Sequence, residues 1–203
     1  DSCNKESVLD FGCGTGNLTK YLAESSNKVV GIDLSAVSIN IALRHFNSIE
    51  NLSFINSSIE DYSRSNNKAH FSLVVANMVL MDVTNLEGVL KSIRGILESG
   101  GNFVFTITHP CFWPFYWGYF EEEWFDYKEE LFIESEFKIS MEKNSQKTTH
   151  LHRPLEKYIN ALCKEGFIIE KIVEPVPNDE NLSLFPKQDK YPRFLAFKTK
   201  LAL

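Results

Sequence analysis

An α/β fold built on a mainly parallel sheet is what this 203-residue sequence predicts, on three observations. Short apolar runs alternate with segments whose apolar residues recur every three to four positions, the pattern of βαβ units. A glycine-rich turn follows the first run at Gly12, Gly14 and Gly16, and an acid, Asp33, ends the second. The alternation then stops near residue 109, where an aromatic-rich stretch reads as an insertion after the fifth strand.

The elements follow in order. Ser7 to Phe11 is a short buried strand. Asn17 to Ser25 is a helix with Leu18, Tyr21 and Leu22 on one face, and Lys28 to Asp33 is the second strand. Ser35 has the side chain of an N-cap for a helix whose Ile39, Leu43 and Phe46 share a face. Leu52 to Asn56 is a third strand and Phe71 to Asn77 a strongly apolar fourth. Leu86 to Leu97 is an amphipathic helix with Leu86, Val89, Leu90, Ile93 and Leu97 as its stripe, stopped by Gly100 and Gly101. Asn102 to Thr108 is the fifth strand. Residues 131 to 141 alternate like a strand, and Pro154 to Lys164 is a helix ended by Gly166. Phe167 to Val173 and Phe194 to Lys200 are the last strands, separated by a polar loop at 175 to 192.

The glycine turn carries the first chemistry. In Val8-Leu-Asp-Phe-Gly-Cys-Gly-Thr-Gly16 the glycines let backbone come close to a ligand at a strand-to-helix junction. A dinucleotide turn has GxGxxG spacing. Here the spacing is GxGxG, the next place is Asn17, and Asp10 stands in the approach, where a carboxylate suits an ammonium better than a phosphate. Asp33 follows Gly14 by 19 residues. An acid at the tip of the second strand can accept both hydroxyls of a ribose. Together they imply an adenosine-type cofactor with a positively charged tail.

These residues resemble the class I S-adenosylmethionine-dependent methyltransferase family, in the stretch Asp10-Phe-Gly-Cys-Gly-Thr-Gly16 above all. The resemblance implies a Rossmann-like sheet of seven strands in the order 3-2-1-4-5-7-6, mostly parallel with the last strand antiparallel, and helices on both faces. It implies S-adenosyl-L-methionine as cofactor. Asp10 would meet the methionine amino group, directly or through water; Gly12, Cys13 and Gly14 would pack on the methionine and ribose, with Gly16 closing the turn. Asp33 would hold the ribose and Leu34 cover the adenine. Ser58 and Ile59 stand where the family often has Asp-Ala beside the adenine, so Ser58 would offer a weaker acceptor. Asn77 and Met78 would line the sulfonium site. Thr108-His-Pro-Cys-Phe112, His152-Arg-Pro-Leu-Glu-Lys-Tyr158 and Glu165-Gly-Phe167 resemble small-molecule members of the superfamily, less specifically.

Methyl transfer is an in-line displacement, and a hydroxyl or amine acceptor gains from a general base. His109, directly after the fifth strand, and His152 are the candidate catalytic bases, each with a structural histidine as the alternative. His150 does not match the family stretch. His150 and His152 would share a face of a strand, but no third ligand accompanies them, so no metal is expected. The whole chain reads as one methyltransferase domain with residues 109–152 as a lid or substrate insertion; the other use of its aromatics is a homodimer contact or a small accessory core.

Composition narrows the partners. The net charge is −6, and residues 117–142 hold nine acids against two lysines, which disfavours nucleic acid or another anionic macromolecule. No apolar run reaches the length of a membrane span, no leader opens the chain, and four scattered cysteines without a CxxC pair fit a cytoplasmic protein. The expected function is an S-adenosylmethionine-dependent methyltransferase acting on a small molecule through an oxygen, nitrogen or carbon nucleophile. The alternatives are a cofactor-binding interaction module without activity and a nicotinamide oxidoreductase.

Overall fold

The computed structural model describes residues 5–66, 70–139, 142–176 and 191–202. Cys3, residues 140–141 of the strand expected at 131–141, and most of the loop expected at 175–192 lie outside the described residues. The chain runs β1 (Lys5–Phe11), α1 (Asn17–Ala23), β2 (Ser26–Asp33), α2 (Ala36–Phe46), β3 (Leu52–Asn56), α3 (Ile59–Ser65) and β4 (Phe71–Asn77). A 3₁₀ turn (Leu80–Asp82) leads to α4 (Leu86–Ile96), β5 (Leu97–Thr108) and α5 (Trp113–Trp117). Then come β6 (Leu131–Ile139), β7 (Glu142–His152), α6 (Leu155–Lys164), β8 (Phe167–Val173) and β9 (Phe194–Leu201).

Seven strands form one sheet in the order β3-β2-β1-β4-β5-β9-β8, while β6 and β7 pair as a separate hairpin. The first five are parallel, and β9 runs antiparallel to both β5 and β8. This is the expected Rossmann-like order; only the labels shift, because the hairpin adds two strands to the count.

The central strands are apolar because both their faces are covered. Val8, Leu9, Val74 and Ala76 have almost no exposure. On the β5 side the core is aromatic: Phe105 stacks on Phe197 at 4.8 Å and on Phe103 at 4.9 Å, and Phe103 meets Phe167 at 5.7 Å. The stripe Leu86, Val89, Leu90, Ile93 and Ile96 buries α4 against this core, and Ser35 caps α2 by accepting from the Ser38 amide.

Two helices depart from expectation. α1 ends at Ala23 and buries Thr19 and Ala23, while Tyr21, expected on its inner face, is exposed. Thr19 faces inward because its hydroxyl has a buried partner in Asp10. α4 ends at Ile96, not at the glycine pair: Leu97 already has extended backbone and pairs with Phe71. Gly100 and Gly101 therefore lie within β5, and Gly100 has a positive φ of 72° where the β4–β5 register shifts.

Strand order reverses between β1 and β4, and ligands of such sheets bind beyond the carboxyl ends at that point. The Asp10–Gly16 turn leaves β1 there and the Asn77–Met78 corner leaves β4 beside it.

Candidate active site and cofactor-binding turn

The turn after β1 is locked by backbone. The Gly12 and Cys13 amides both donate to the Ile32 carbonyl, and Gly12, Gly14 and Gly16 all have positive φ. Their surroundings differ. A Cβ on Gly12 would stand 2.4 Å from Val79 Cγ2, and one on Gly16 would stand 2.7 Å from the Phe54 ring. A Cβ on Gly14 would meet nothing within 4 Å. Gly12 and Gly16 are small so that the fold closes, whereas Gly14 faces open space at the sheet edge.

Asp33 ties that open edge together. One carboxylate oxygen accepts from the Gly14 amide and the other from the Ser35 amide, both at 2.8 Å. Asp10 is buried, and its Oδ2 accepts from the Thr19 hydroxyl at 2.7 Å. Burial pushes its pKa up to about 6 against the opposing pull of that hydrogen bond, and Asp33 adds repulsion. The folded chain thus holds a carboxyl short of a cation. Cys13 packs beneath the turn, its thiol pushed up to about 12 by burial and by Asp10 and Asp33, so it is an inert apolar contact.

The remaining expected residues ring the turn. Leu34 is exposed beside Asp33. Ser58 caps α3: its hydroxyl accepts from the Asp61 amide at 3.0 Å and donates to the Asp61 carboxylate at 2.8 Å. That hydroxyl is committed to the cap, so what this loop offers a ligand is backbone and the start of α3 at Ile59, whose side chain is buried. Ser58 and Asp61 are spaced as a capping pair, a signal that marks the helix in the sequence.

Asn77 and Met78 end β4 with unusual geometry. Met78 has φ 58°, the only positive value outside glycine among the described residues. Its amide donates to both the carbonyl and the hydroxyl of Thr106, and that hydroxyl donates to Asn77 Oδ1 at 2.6 Å. Such strain persists only where neighbours over-determine the backbone, and it clusters at functional sites.

The histidines separate. His109 is buried with both ring nitrogens engaged: Nε2 lies 2.9 Å from Glu174 Oε1, and Nδ1 accepts from the Cys111 amide at 3.2 Å. Burial disfavours its charged form, but the contacts with Cys111 and Glu174 outweigh that and raise its pKa. His152 is buried, held by its Nε2 against the Tyr127 carbonyl at 3.1 Å, and burial lowers its pKa. The β6–β7 register sets His150 opposite Ile133 and His152 opposite Leu131, so the two share the inner face of the hairpin.

Sequence reading missed a cavity under this hairpin, lined by Thr108, Pro110, Trp113, Tyr119, His150 and the stretch Leu151 to Arg153, among others. Arg153 anchors it. Its buried guanidinium donates to the Leu80 carbonyl at 3.2 Å, the Val83 carbonyl at 2.8 Å and Glu130 at 3.1 Å, tying the end of β7 to the loop after β4. Arg153→Ala should therefore cost about 2–4 kcal/mol, since it removes a buried guanidinium that bonds the Leu80 and Val83 carbonyls and pairs with the partly exposed Glu130. The drop in urea midpoint measures it, and Arg153→Lys should recover little because one ammonium cannot span three acceptors.

A mainly parallel sheet with this strand order and one antiparallel strand, a glycine turn open at its middle glycine and an acid at the tip of β2 define the class I S-adenosylmethionine-dependent methyltransferase architecture. A methyltransferase-domain family model matches residues 3–198, and the chain belongs to that family. A structure from Listeria monocytogenes, described as an S-adenosylmethionine-dependent methyltransferase, superposes with a TM-score of 0.79 at 26% identity, covering 98% of this chain and 91% of that one. The methyltransferase CRG1 of Saccharomyces cerevisiae is 26% identical over 188 residues, 88% of this chain and 60% of its own length. A ubiquinone biosynthesis O-methyltransferase of Dictyostelium discoideum is 31% identical over 112 residues, 50% of this chain and 35% of its own. The chain thus spans 60% or less of the length of these two relatives. No helix is long and apolar enough to cross a membrane, and no cluster of metal-binding side chains occurs among the described residues.

Proposed function

We propose that the chain transfers the methyl group of S-adenosylmethionine to a small-molecule acceptor by in-line displacement. The observation that carries this is the pairing of a buried carboxyl, Asp10, that meets no cation among the described residues, with an open cradle at Gly14. The residues present fit the cofactor. Asp10 would hold the ammonium, Gly12 to Gly14 the methionine and ribose, and Asp33 the ribose hydroxyls. Leu34 would cover the adenine with backbone at Ser58 and Ile59 beside it, and Asn77 and Met78 would border the sulfonium. When bound, the cofactor supplies an activated methyl group and its own leaving group.

Residues 109–152 would then be the lid or substrate insertion within one methyltransferase domain. His109 would position the start of that segment through Glu174 and Cys111, and His152 would hold Tyr127 against it. The names of a ubiquinone biosynthesis O-methyltransferase and a demethylmenaquinone methyltransferase among the relatives support a small organic acceptor, and a cytoplasmic place fits the composition. The test is turnover: incubation with S-adenosylmethionine and a panel of small hydroxyl, amine and carbon acceptors should release S-adenosylhomocysteine with at least one. Binding of cofactor with no release across the panel would favour an interaction module.

A further inference from the structure

Among the described residues the cysteines have three different surroundings. Cys13 is buried beneath the glycine turn, and Cys163 is exposed near the end of α6. Cys111, between β5 and α5, is partly exposed and stands in a cluster of ionisable side chains that the cofactor site does not use. The cluster draws His109 from the end of β5, Tyr127 from the stretch before β6 and Glu174 from the end of β8.

Its geometry is fixed at every member. His109 Nε2 faces Glu174 Oε1 at 2.9 Å, and Nδ1 accepts from the Cys111 amide at 3.2 Å, which turns that nitrogen towards Cys111. The His109 amide donates to the Arg193 carbonyl at 2.8 Å, and Phe112 packs on the imidazole with ring centroids 4.5 Å apart. Cys111 Sγ lies 3.4 Å from the Tyr127 hydroxyl, and that hydroxyl accepts from the Leu155 amide at 3.0 Å. With one lone pair of the phenol oxygen given to Leu155, its own proton can be directed at the sulfur.

A cysteine so placed gains in its ionised form. Nucleophilic thiolates arise beside a base that a third group orients, and a donor at the sulfur adds to the effect. His109 is the base here, Glu174 orients it, and Tyr127 is the donor. His109 lowers the Cys111 pKa, burial opposes it, Tyr127 lowers it further, and the Glu174 charge works against it. Burial pulls the His109 pKa down, but its contacts with Cys111 and Glu174 more than offset that. Passage of the thiol proton to Nδ1 is thus favoured from both partners, which titrate as a pair. Cys13 shows the opposite case, a packed thiol pushed up to about 12.

We propose that Cys111 is a modification site, a nucleophilic thiolate formed with His109 and Glu174 that takes up peroxide oxygen. In the step with hydrogen peroxide, the sulfur attacks one oxygen, and the sulfur–oxygen bond forms as the oxygen–oxygen bond breaks. The hydroxide that leaves takes the proton from His109 Nδ1 and departs as water. Sulfur is oxidised to a sulfenic acid while the peroxide is reduced. The modified atom is the one that touches Tyr127, so the change falls on the contact between the insertion and the start of α6. The site goes beyond methyl transfer and does not depend on it.

The test follows each cysteine of the whole chain by peptide mass spectrometry after brief treatment with iodoacetamide. At about pH 6.5, Cys111 should react at least about fivefold faster than Cys163, although Cys163 is the more exposed. Cys13 should stay unlabelled, which reports an intact fold. Hydrogen peroxide followed by dimedone should place the sulfenic-acid adduct on Cys111 and not on Cys163. His109→Gln should slow Cys111 at least about tenfold at pH 6.5 yet leave it within about threefold of wild type at pH 9, a split that altered packing does not give. Where Cys13 becomes labelled in that variant, the wild-type rates decide alone. Slower reaction of Cys111 than of Cys163 at pH 6.5, dimedone on Cys163 but not on Cys111, or an unchanged rate in a folded His109→Gln would each overturn the proposal. None of these readouts uses the cofactor, so they stand apart from the function proposed above.

Discussion

Asp10→Asn is expected to make the protein more stable and nearly blind to its cofactor. Ionised Asp10 sits buried with a single hydroxyl partner, and its pKa rises from 3.8 to about 6. A group raised in the folded state gives its full stability below its unfolded pKa and loses it as pH climbs through the folded one. At pH 7.5 the charged carboxylate therefore costs the fold about 3 kcal/mol at most, from two pKa units at 1.36 kcal/mol each. Asparagine keeps an acceptor for Thr19 and removes the charge, so a gain of about 1–3 kcal/mol should appear in urea unfolding at pH 7.5. The gain should shrink as pH falls from about 6 towards 4, where wild-type Asp10 takes up its proton. The same change removes the one buried carboxylate among the described residues, the group proposed to meet the methionine ammonium. S-adenosylmethionine should bind about 10- to 150-fold more weakly, the scale of a charge-assisted hydrogen bond lost from a buried site. Wild-type affinity should itself fall below about pH 6. A variant that is both less stable and fully competent to bind would show that Asp10 is structural.

Two glycines two positions apart should fail in opposite ways. In Gly12→Ala the new methyl lands 2.4 Å from Val79 Cγ2, at a φ of 71° that L residues resist. Val79 is β-branched and packed against the core, so it cannot swing clear. Overpacking and left-handed strain together should cost about 2–5 kcal/mol, seen as a lowered Tm and poor yield. In Gly14→Ala the methyl meets no protein atom, and only the φ of 54° resists it, so the fold should lose about 1–2 kcal/mol. Affinity for S-adenosylhomocysteine should nevertheless drop about tenfold or more, because the methyl occupies the cradle. If Gly14→Ala bound like wild type, the ligand would have to lie elsewhere.

The residues proposed to hold the cofactor were legible because they are close in sequence. Asp10 to Gly16 is one turn, Asp33 ends the next strand, and parallel pairing of β1 with β2 places the two tips side by side. The hairpin and the contacts beneath it were not. β7 carries Lys, Asn, Ser, Gln and Thr with no apolar alternation, so nothing in it signals a strand, and only its pairing with β6 makes one. His150 meets Tyr119 across 31 residues and His109 meets Glu174 across 65. Spacing along the chain cannot reveal such pairs. The left-handed Met78 was equally hidden, because its conformation is imposed by Thr106 on a neighbouring strand. α3 was missed for a smaller reason: seven mostly polar residues show little periodicity, although Ser58 and Asp61 mark its start.

The central claim is that the Asp10–Gly16 turn and Asp33 hold an adenosyl cofactor. Isothermal titration of S-adenosylhomocysteine into the wild-type chain and into Asp33→Ala tests it most directly. The geometry predicts one site per chain in the wild type. In the variant, which frees the Gly14 and Ser35 amides and removes the ribose acceptor, affinity should be at least 100-fold weaker. No heat of binding with the wild type, or equal affinity in the two proteins, would contradict it.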